Sequence, residues 1–377
     1  MKRVGNLYEK IFDMDNLIEA HKNASNQKGW YSEVKQVNQD LEEYLRLLQG
    51  MLINRTYKTS DYEVFQRKDG IKTRIIYKLP YFPDRICQWA VMQIIEPYFL
   101  RNFTSDTYSA IPDRGTHLCL KKLRKAISQD LEGTKYCLKM DVHHYYPSIN
   151  HDILKDKFKR MFKDEKLLWL LFEIIDSVPP EEGIPIGNYL SQYCGNFYLS
   201  EFDHWLKETT FMFEGKPVKV KYYFRYMDDM VILSDSKEFL HYLRKEISVF
   251  LYTHLKLHLK DNWQVFPVQS RGIDFVGYRT FTEFTLVRKR TVKNMKKSVK
   301  VVSYKFNSGC EINYHDYCSV NSYRGCLIHA NGYRLRRKYI DKIDVGLQQY
   351  HDNYLISSST NKTKFESKLK KEKQLKY

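Results

Sequence analysis

The chain has no CxxC pair, no long apolar run and, in its last quarter, too little acid to offset its basic residues. Seven cysteines in 377 residues make an odd set without zinc-ligand spacing, so neither a disulfide framework nor a zinc knuckle is indicated, and reduced, mostly buried thiols are expected. The longest apolar run, Leu167 to Ile175, is interrupted by Glu173 and is too short to cross a bilayer, and the opening residues do not read as a secretory signal. A soluble, cytoplasmic protein without a membrane partner is expected. From Leu286 onward 21 Lys and Arg stand against 7 Asp and Glu, a net of +14 within an overall formal charge of +17. Such one-sidedness favours a polyphosphate partner, with a solvated basic tail as the other reading. A hydrophobic content of 43% is enough to bury a core, and the length suits two or three subdomains.

Val218 to Ser234, VKVKYYFRYMDDMVILS, holds two runs rich in β-branched and aromatic residues, Val220 to Tyr226 and Met230 to Leu233, on either side of Asp228 and Asp229. It predicts a β-hairpin with acids at its tip. Like charges about 4 Å apart repel by roughly 4 kcal/mol at an effective dielectric near 20, a strain that a divalent cation relieves. Asp-Asp is also ordinary turn chemistry, so the metal reading needs a third acid from elsewhere. Tyr136 to Val142, YCLKMDV, alternates as a half-buried strand ending at Asp141, and a helical pattern follows Pro147. One acid at a strand end and two at a hairpin tip suit two Mg²⁺ ions, which take carboxylate and phosphate oxygens.

Tyr226-Met227-Asp228-Asp229 matches the YxDD signature of reverse transcriptases, and Asp141 followed five residues on by Tyr146 matches their first palm motif. The chain resembles that family. The resemblance implies an α+β, right-handed polymerase fold: N-terminal helices and fingers over 1–135, a palm (antiparallel sheet plus helices) over 136–284 with a helical insertion at 149–185, a basic helical thumb over 285–356 and a disordered basic tail over 357–377. It implies RNA-directed DNA polymerase activity on deoxynucleoside triphosphates, with template RNA and an RNA–cDNA duplex as partners. Asp141, Asp228 and Asp229 become the catalytic residues, and with Val142 the holders of two Mg²⁺ ions, for which Mn²⁺ can substitute. Tyr146 is by the same resemblance a steric gate against a 2′-hydroxyl, packing in the core being its other reading. Tyr226 and Met227 are expected against template and primer.

Asn6 to Ala24 and Val37 to Leu52 carry apolar residues at helical spacing and predict two amphipathic helices. Tyr62 to Tyr77 predicts a hairpin across Asp69-Gly70 with Lys72 and Arg74 on one face. It resembles the fingers hairpin, where two such cations grip the triphosphate; a solvated strand face is the alternative. Pro83-Asp84 opens a buried helix with Ile86, Ala90, Ile94 and Ile95 inward, in which Arg85 and Gln88 resemble the DRxxQ helix of bacterial reverse transcriptases. The loop Arg101 to Gly115 resembles their template-contacting loop, and Arg114 is either a template contact or a loop salt-bridge partner. His143 and His144 are set aside as metal ligands because neighbours on extended backbone point in opposite directions. Asp152 to Ser177 predicts one long helical region, stopped at Pro179-Pro180.

Most reverse transcriptases have Gln-Gly-x-x-x-Ser-Pro where this chain has Ile186-Gly187-Asn188-Tyr189-Leu190-Ser191-Gln192. Ile186 for Gln and Gln192 for Pro resemble the enzymes of diversity-generating retroelements, a similarity running from about Asn6 to Tyr339. That subgroup implies error-prone copying of template adenines and a small basic accessory protein forming an oligomeric ring. Ile186, Gly187 and Gln192 join Lys72, Arg74 and Tyr146 as nucleotide-binding residues, the glycine permitting close approach of a ligand to backbone. The helix that follows has Leu190, Cys194, Phe197 and Trp205 inward. Two rival readings stand: another bacterial reverse transcriptase class, group II intron-like or antiphage, and a non-catalytic RNA-binding protein on a polymerase scaffold.

Lys237 to Lys256 predicts a palm helix. The following LKLHLKDNWQVFPV resembles the fourth palm motif with Trp263 where many relatives have lysine; Lys260 is nearby, so the group that protonates pyrophosphate is left open. Arg271 to Thr280 resembles the primer grip, with Phe275, Gly277 and Tyr278 facing nucleic-acid backbone. Leu286 to Tyr304 predicts a thumb helix with Val292, Met295, Val299 and Val302 inward and Lys293, Lys296, Lys297 and Lys300 free to follow phosphates. Ser322 to Tyr339 predicts a second basic, aromatic helix.

Overall fold

A computed structural model of the chain describes residues 3–69, 72–179, 181, 183–310 and 312–343. The hairpin turn at 70–71 and the tail expected over 357–377 lie outside the described residues. The chain divides into two compact units, Met1–Ala126 with Asp130–Phe266, and Ile127–Gln129 with Pro267–Tyr377. The division falls inside the stretch 136–284 expected as palm.

The first unit begins with α1 (Tyr8–Ile11), α2 (Met14–Ser25), α3 (Ser32–Gln39) and α4 (Leu41–Ile53). Four helices thus stand where apolar periodicity predicted two. The Asp13 carboxylate accepts the Asp15 N–H at 3.0 Å and starts a new helix, and Asp40 leaves helical geometry at φ −131° and ψ 49°. Next come β1 (Glu63–Asp69) and β2 (Lys72–Lys78), an antiparallel pair. The buried helix α5 (Ile86–Asn102) follows, with α2 packed along it and joined by Asn16 Nδ2 to Ala90 O at 3.1 Å. Then come α6 (Thr116–Gln129) and β3 (Tyr136–Asp141).

The long helix expected over 152–177 is two helices, α7 (His151–Met161) and α8 (Glu165–Ile175). Phe162 is extended and buried between them, and Asp164 caps α8 by accepting Leu167 N–H at 3.2 Å. The same carboxylate accepts Leu7 N–H at 2.7 Å and Tyr8 N–H at 3.0 Å, so a tertiary contact decides the break. Burial works to raise the Asp164 carboxyl, but the Tyr8 and Leu7 amides outweigh it and hold the group below its ordinary range.

After α9 (Tyr189–Tyr198) and α10 (Ser200–Glu208) come β4 (Thr210–Phe213), β5 (Lys216–Lys219), β6 (Tyr222–Tyr226), β7 (Asp229–Ser234), α11 (Lys237–Leu255) and β8 (Gln264–Pro267). The order β6-β7-β3-β8 makes the central sheet, antiparallel at β6/β7 and β3/β7. The α11 helix packs on β3 and β7, burying Leu240, Leu243, Ile247 and Leu251 with Leu138, Met140 and Ile232.

The second unit contains α12 (Val268–Arg271), β9 (Ile273–Phe275), β10 (Tyr278–Thr280) and β11 (Thr285–Val287), the strands forming an antiparallel sheet in the order β11-β10-β9. Then follow α13 (Lys289–Asn307), α14 (Tyr314–Ile328) and α15 (Tyr333–Leu335). Met295, Val299 and Val302 form the buried stripe of α13. The continuous helix expected over Ser322 to Tyr339 breaks after Ile328, because Asn331 exchanges hydrogen bonds with Thr285 of β11 at 2.7 and 2.8 Å. All seven cysteines are free thiols, four of them buried. Among the described residues no helix is long and apolar enough to cross a membrane.

Candidate active site

Strand register brings the three acids together. Asp141, the last residue of β3, pairs with Asp229, the first of β7, and Asp229 pairs across the hairpin with Tyr226. Asp228 sits at the turn, after Met227 at φ +58°. Val142 is fully buried, gives its N–H to Asp228 O at 3.4 Å and bridges to Leu259, so the hairpin tip is tied to the end of β3.

The electrostatics of this cluster are unfavourable in the bare protein. Burial first, then the Asp141 charge and a hydrogen bond with Asp141, push the Asp228 carboxyl up from 3.8 to about 7. Lys260 Nζ stands 2.6 Å from Asp141 Oδ2, its backbone N–H donates to Asp141 O at 2.9 Å, and Lys139 Nζ lies 3.7 Å from Asp229 Oδ2. Asp141 Oδ1 is buried and accepts no hydrogen bond from the described residues. Among the described residues no group of three or more His, Cys, Asp or Glu side chains is arranged to hold a metal ion. The chemistry of the donor set still suits a hard divalent cation: the carboxylates of strand-paired Asp141 and Asp229 and of Asp228 at the turn, with Asp141 Oδ1 orphaned among the described residues and the Asp228 carboxyl raised despite two nearby lysines.

Tyr146 begins a one-turn helix just past Asp141. Its ring is half-buried and its hydroxyl lies 3.7 Å from Met227 Sδ. Burial first, then the Asp228 and Cys194 charges, raise its phenol, and the charge of Arg74 on β2 works the other way. Met227 itself is only 8% exposed, which corrects its expected role against template and primer: the side chain is turned inward over Gly195, where a Cβ would stand 3.1 Å from its sulfur. Tyr226 is half-buried. The neighbouring Tyr145 hydroxyl donates to Gly195 O.

The loop carrying Ile186 docks on β2 and on Tyr146. Ile186 O accepts Tyr77 N–H at 3.1 Å, and Ile184 N–H donates to Tyr146 O at 3.1 Å. Gly187, at φ +129°, is needed because a Cβ there would meet Tyr77 O at 2.7 Å. The close approach that the structure shows at this glycine is by the chain's own backbone. Ile186 is half-buried and Gln192 exposed on α9. On β2, Arg74 is exposed and faces Arg67 across the ladder; Lys72 pairs with Asp69, and its side chain lies outside what is described.

Several further expectations change. Arg114 Nη1 donates to Thr104 O at 2.6 Å and Thr107 O at 2.8 Å, bracing its own loop through carbonyls instead of a salt bridge. His143 and His144 do not diverge: His144 has φ +42° and the rings pack edge to face with centroids 4.2 Å apart. Trp263 packs on the Arg244 guanidinium at 4.6 Å, leaving Lys260 as the cation at Asp141. In the second unit Phe275 and Tyr278 are 1% and 3% exposed, so neither ring faces nucleic acid. They are register partners on one face, and Tyr278 OH donates to Cys326 O of α14 at 3.2 Å. Gly277, at φ +91°, turns this hairpin. Lys293, Lys296, Lys297 and Lys300 are exposed along α13.

Sequence reading missed Arg225 and Asp203, both fully buried, which join β6 to α10. The available signal was a single charge inside the apolar run YYFRY, in a strand covered on both sides.

An antiparallel sheet with three acids at adjoining strand ends, backed by α11, belongs to a right-handed polymerase. Residues 66–280 match the family described as reverse transcriptase (RNA-dependent DNA polymerase), and the chain belongs to that family. It is 25% identical over 248 residues to protein YkfC of Escherichia coli strain K12, covering 56% of this chain and 63% of that protein. It is 20% identical over 374 residues to the group II intron-encoded protein LtrA of Lactococcus lactis subsp. cremoris, covering 81% of this chain and 60% of that protein. The chain therefore spans about three fifths of the length of these curated relatives. A solved apo telomerase from Candida tropicalis aligns with a TM-score of 0.49 at 12% identity, over 78% of this chain and 59% of that one.

Proposed function

We propose that the chain is an RNA-directed DNA polymerase that adds deoxynucleotides to a primer 3′-hydroxyl on a template RNA, working in the cytoplasm on an RNA–cDNA duplex. The observation that carries this reading is the register pairing of Asp141 with Asp229 beside an Asp228 carboxyl raised to about 7. Asp141, Asp228 and Asp229, with the Val142 backbone, would hold two Mg²⁺ ions, or Mn²⁺ in their place. Bound there, the ions supply Lewis acidity to the primer hydroxyl and the triphosphate. The protein's own part is positioning. Val142 ties the hairpin tip, Tyr146 would close the sugar side of the site, Arg74 and Lys72 are assigned to the triphosphate by the resemblance of the hairpin, and Lys260 beside Asp141 is a candidate proton donor for departing pyrophosphate. The fingers, palm and thumb are the regions bounded above, with the α13 lysines following duplex phosphates.

Within the family we assign the chain to the enzymes of diversity-generating retroelements, which copy template adenines with error and work with a small basic ring-forming protein. Ile186 and Gln192 support this assignment. The similarity to a group II intron-encoded protein over 81% of the chain favours a group II-like enzyme as the second reading. Primer extension on RNA with Mg²⁺ and deoxynucleotides tests the activity; absence of extension by folded, RNA-binding protein would overturn it. Sequencing the cDNA from wild type and Ile186→Gln separates the subgroups. An aliphatic side chain offers no hydrogen bond to the nascent pair, and about 1.4 kcal/mol of lost discrimination is tenfold in errors. The variant should lower errors opposite template adenine by up to about that factor, whereas accurate copying of adenine by wild type favours the group II-like reading.

A further inference from the structure

Arg225 is the largest fully buried side chain among the described residues, and all three of its side-chain nitrogens donate. Nε reaches Asp203 Oδ1 at 2.7 Å and Nη2 reaches Asp203 Oδ2 at 2.5 Å, a two-pronged pair. Nη1 donates to Asn196 Oδ1 at 3.1 Å and to Met227 O at 3.0 Å. Nη2 also lies within reach of Thr107 Oγ1 at 3.4 Å and Asn196 O at 3.3 Å. Asp203 is completed by Tyr223 OH at 2.7 Å and Thr107 Oγ1 at 3.1 Å. On the main chain, Arg225 N–H donates to Asp106 O at 2.9 Å and its carbonyl accepts Tyr108 N–H at 3.0 Å.

Cohesion alone does not require an ion pair here. Replacing a buried pair by hydrocarbon of similar volume is often neutral or stabilising. What hydrocarbon cannot do is hold the Met227 carbonyl. Met227 has φ +58°, a backbone state that a residue with a side chain seldom adopts, and its carbonyl belongs to the peptide group that leads into Asp228. Fixing that peptide plane fixes where Asp228 begins. Misplacing a catalytic group by about 1 Å can cost on the order of a hundredfold in rate.

We propose that Arg225, locked by Asp203, is a positioning residue that holds the Met227–Asp228 peptide so that the Asp228 carboxylate faces Asp141. It touches neither substrate nor reacting atoms. The inference rests on the polymerase reading above. Arg225→Lys keeps the charge beside Asp203 but cannot reach Asp203, Asn196 and Met227 O together. The double variant Arg225→Met/Asp203→Leu removes both charges and leaves neither unpaired. Both are first checked for folding by circular dichroism and thermal melting. Each should then lose at least tenfold in kcat with the deoxynucleotide KM changed less than twofold, and bind Mn²⁺, followed by electron paramagnetic resonance, at least tenfold more weakly than wild type.

A folded variant with wild-type kcat and Mn²⁺ affinity overturns the proposal. So does failure of both variants to fold, which would make Arg225 a requirement of folding alone. If wild-type protein does not extend a primer, the polymerase reading falls, and the Mn²⁺ affinities still decide the role of Arg225.

Discussion

Asp228→Asn separates charge from shape at the hairpin tip. The carboxyl sits at about 7 instead of 3.8, chiefly through burial and next through the Asp141 charge. Each pH unit between folded and unfolded values is worth about 1.4 kcal/mol, so ionised Asp228 weakens the metal-free fold by at most about 4 kcal/mol at neutral pH. Since the folded value is the higher one, the stabilising contribution of the protonated group is complete below about pH 4 and is lost as the pH rises toward 7. In EDTA, therefore, the wild-type melting temperature should fall between pH 5 and 7.5, and that of Asp228→Asn should fall less. At pH 7.5 the variant should melt higher by roughly 5–10 °C, the equivalent of about 2–3 kcal/mol in a unit of this size. Mg²⁺ should reverse the order, because an ion that binds only the folded wild type raises its stability. Differential scanning calorimetry at the two pH values, with EDTA and with Mg²⁺, makes the comparison, and primer extension by the variant should be absent. A variant that melts at or below wild type in EDTA at pH 7.5 would refute the strain argument.

Asp164→Ala removes a carboxylate that accepts three backbone N–H groups, two of them from the N-terminal segment, and should cost about 2–3 kcal/mol in urea melts at pH 7. Because that carboxyl is held low in the fold, its contribution is present above the ordinary carboxylate value and fades as the pH falls through the lowered one, so wild type and variant should converge in acid. For Tyr146→Ala, single-nucleotide incorporation should show a ribo/deoxy ratio roughly tenfold higher or more; an unchanged ratio returns the ring to a packing role. Neutralising Lys293, Lys296, Lys297 and Lys300 together should flatten the plot of log affinity for an RNA–DNA duplex against log salt by about 3, if each contacts one phosphate. An unchanged slope would place α13 away from the duplex.

Local pattern carried the central site a long way. Alternation in Tyr136 to Val142 and the two β-rich runs around Asp228-Asp229 are properties of neighbouring residues, and the strands they predict end within one residue of the ends of β3 and β7. The motif order then suggested the acids share one sheet, and the observed register of β3 and β7 sets Asp141 opposite Asp229. The apolar stripe of α13 and the burial of α5 were legible for the same reason. Helix ends were not. Apolar spacing continues through Phe12 and Phe162, and the breaks come from caps at Asp13 and Asp164, the latter chosen by amides about 155 residues away in sequence.

What the amino-acid order determined by itself is the strands that carry the acids, the apolar faces of α5 and α13 and the uneven positive charge, all of which follow from short-range periodicity and composition. Only the tertiary structure decided which face of β9 and β10 is inward, so that Phe275 and Tyr278 are core residues, and which backbone Gly187 must admit. It alone brought Lys260 to Asp141 and enclosed Arg225 with Asp203. Those are contacts between segments far apart in sequence, and their energies depend on burial, which raises the cost of an unpaired charge and so selects partners that no local pattern specifies.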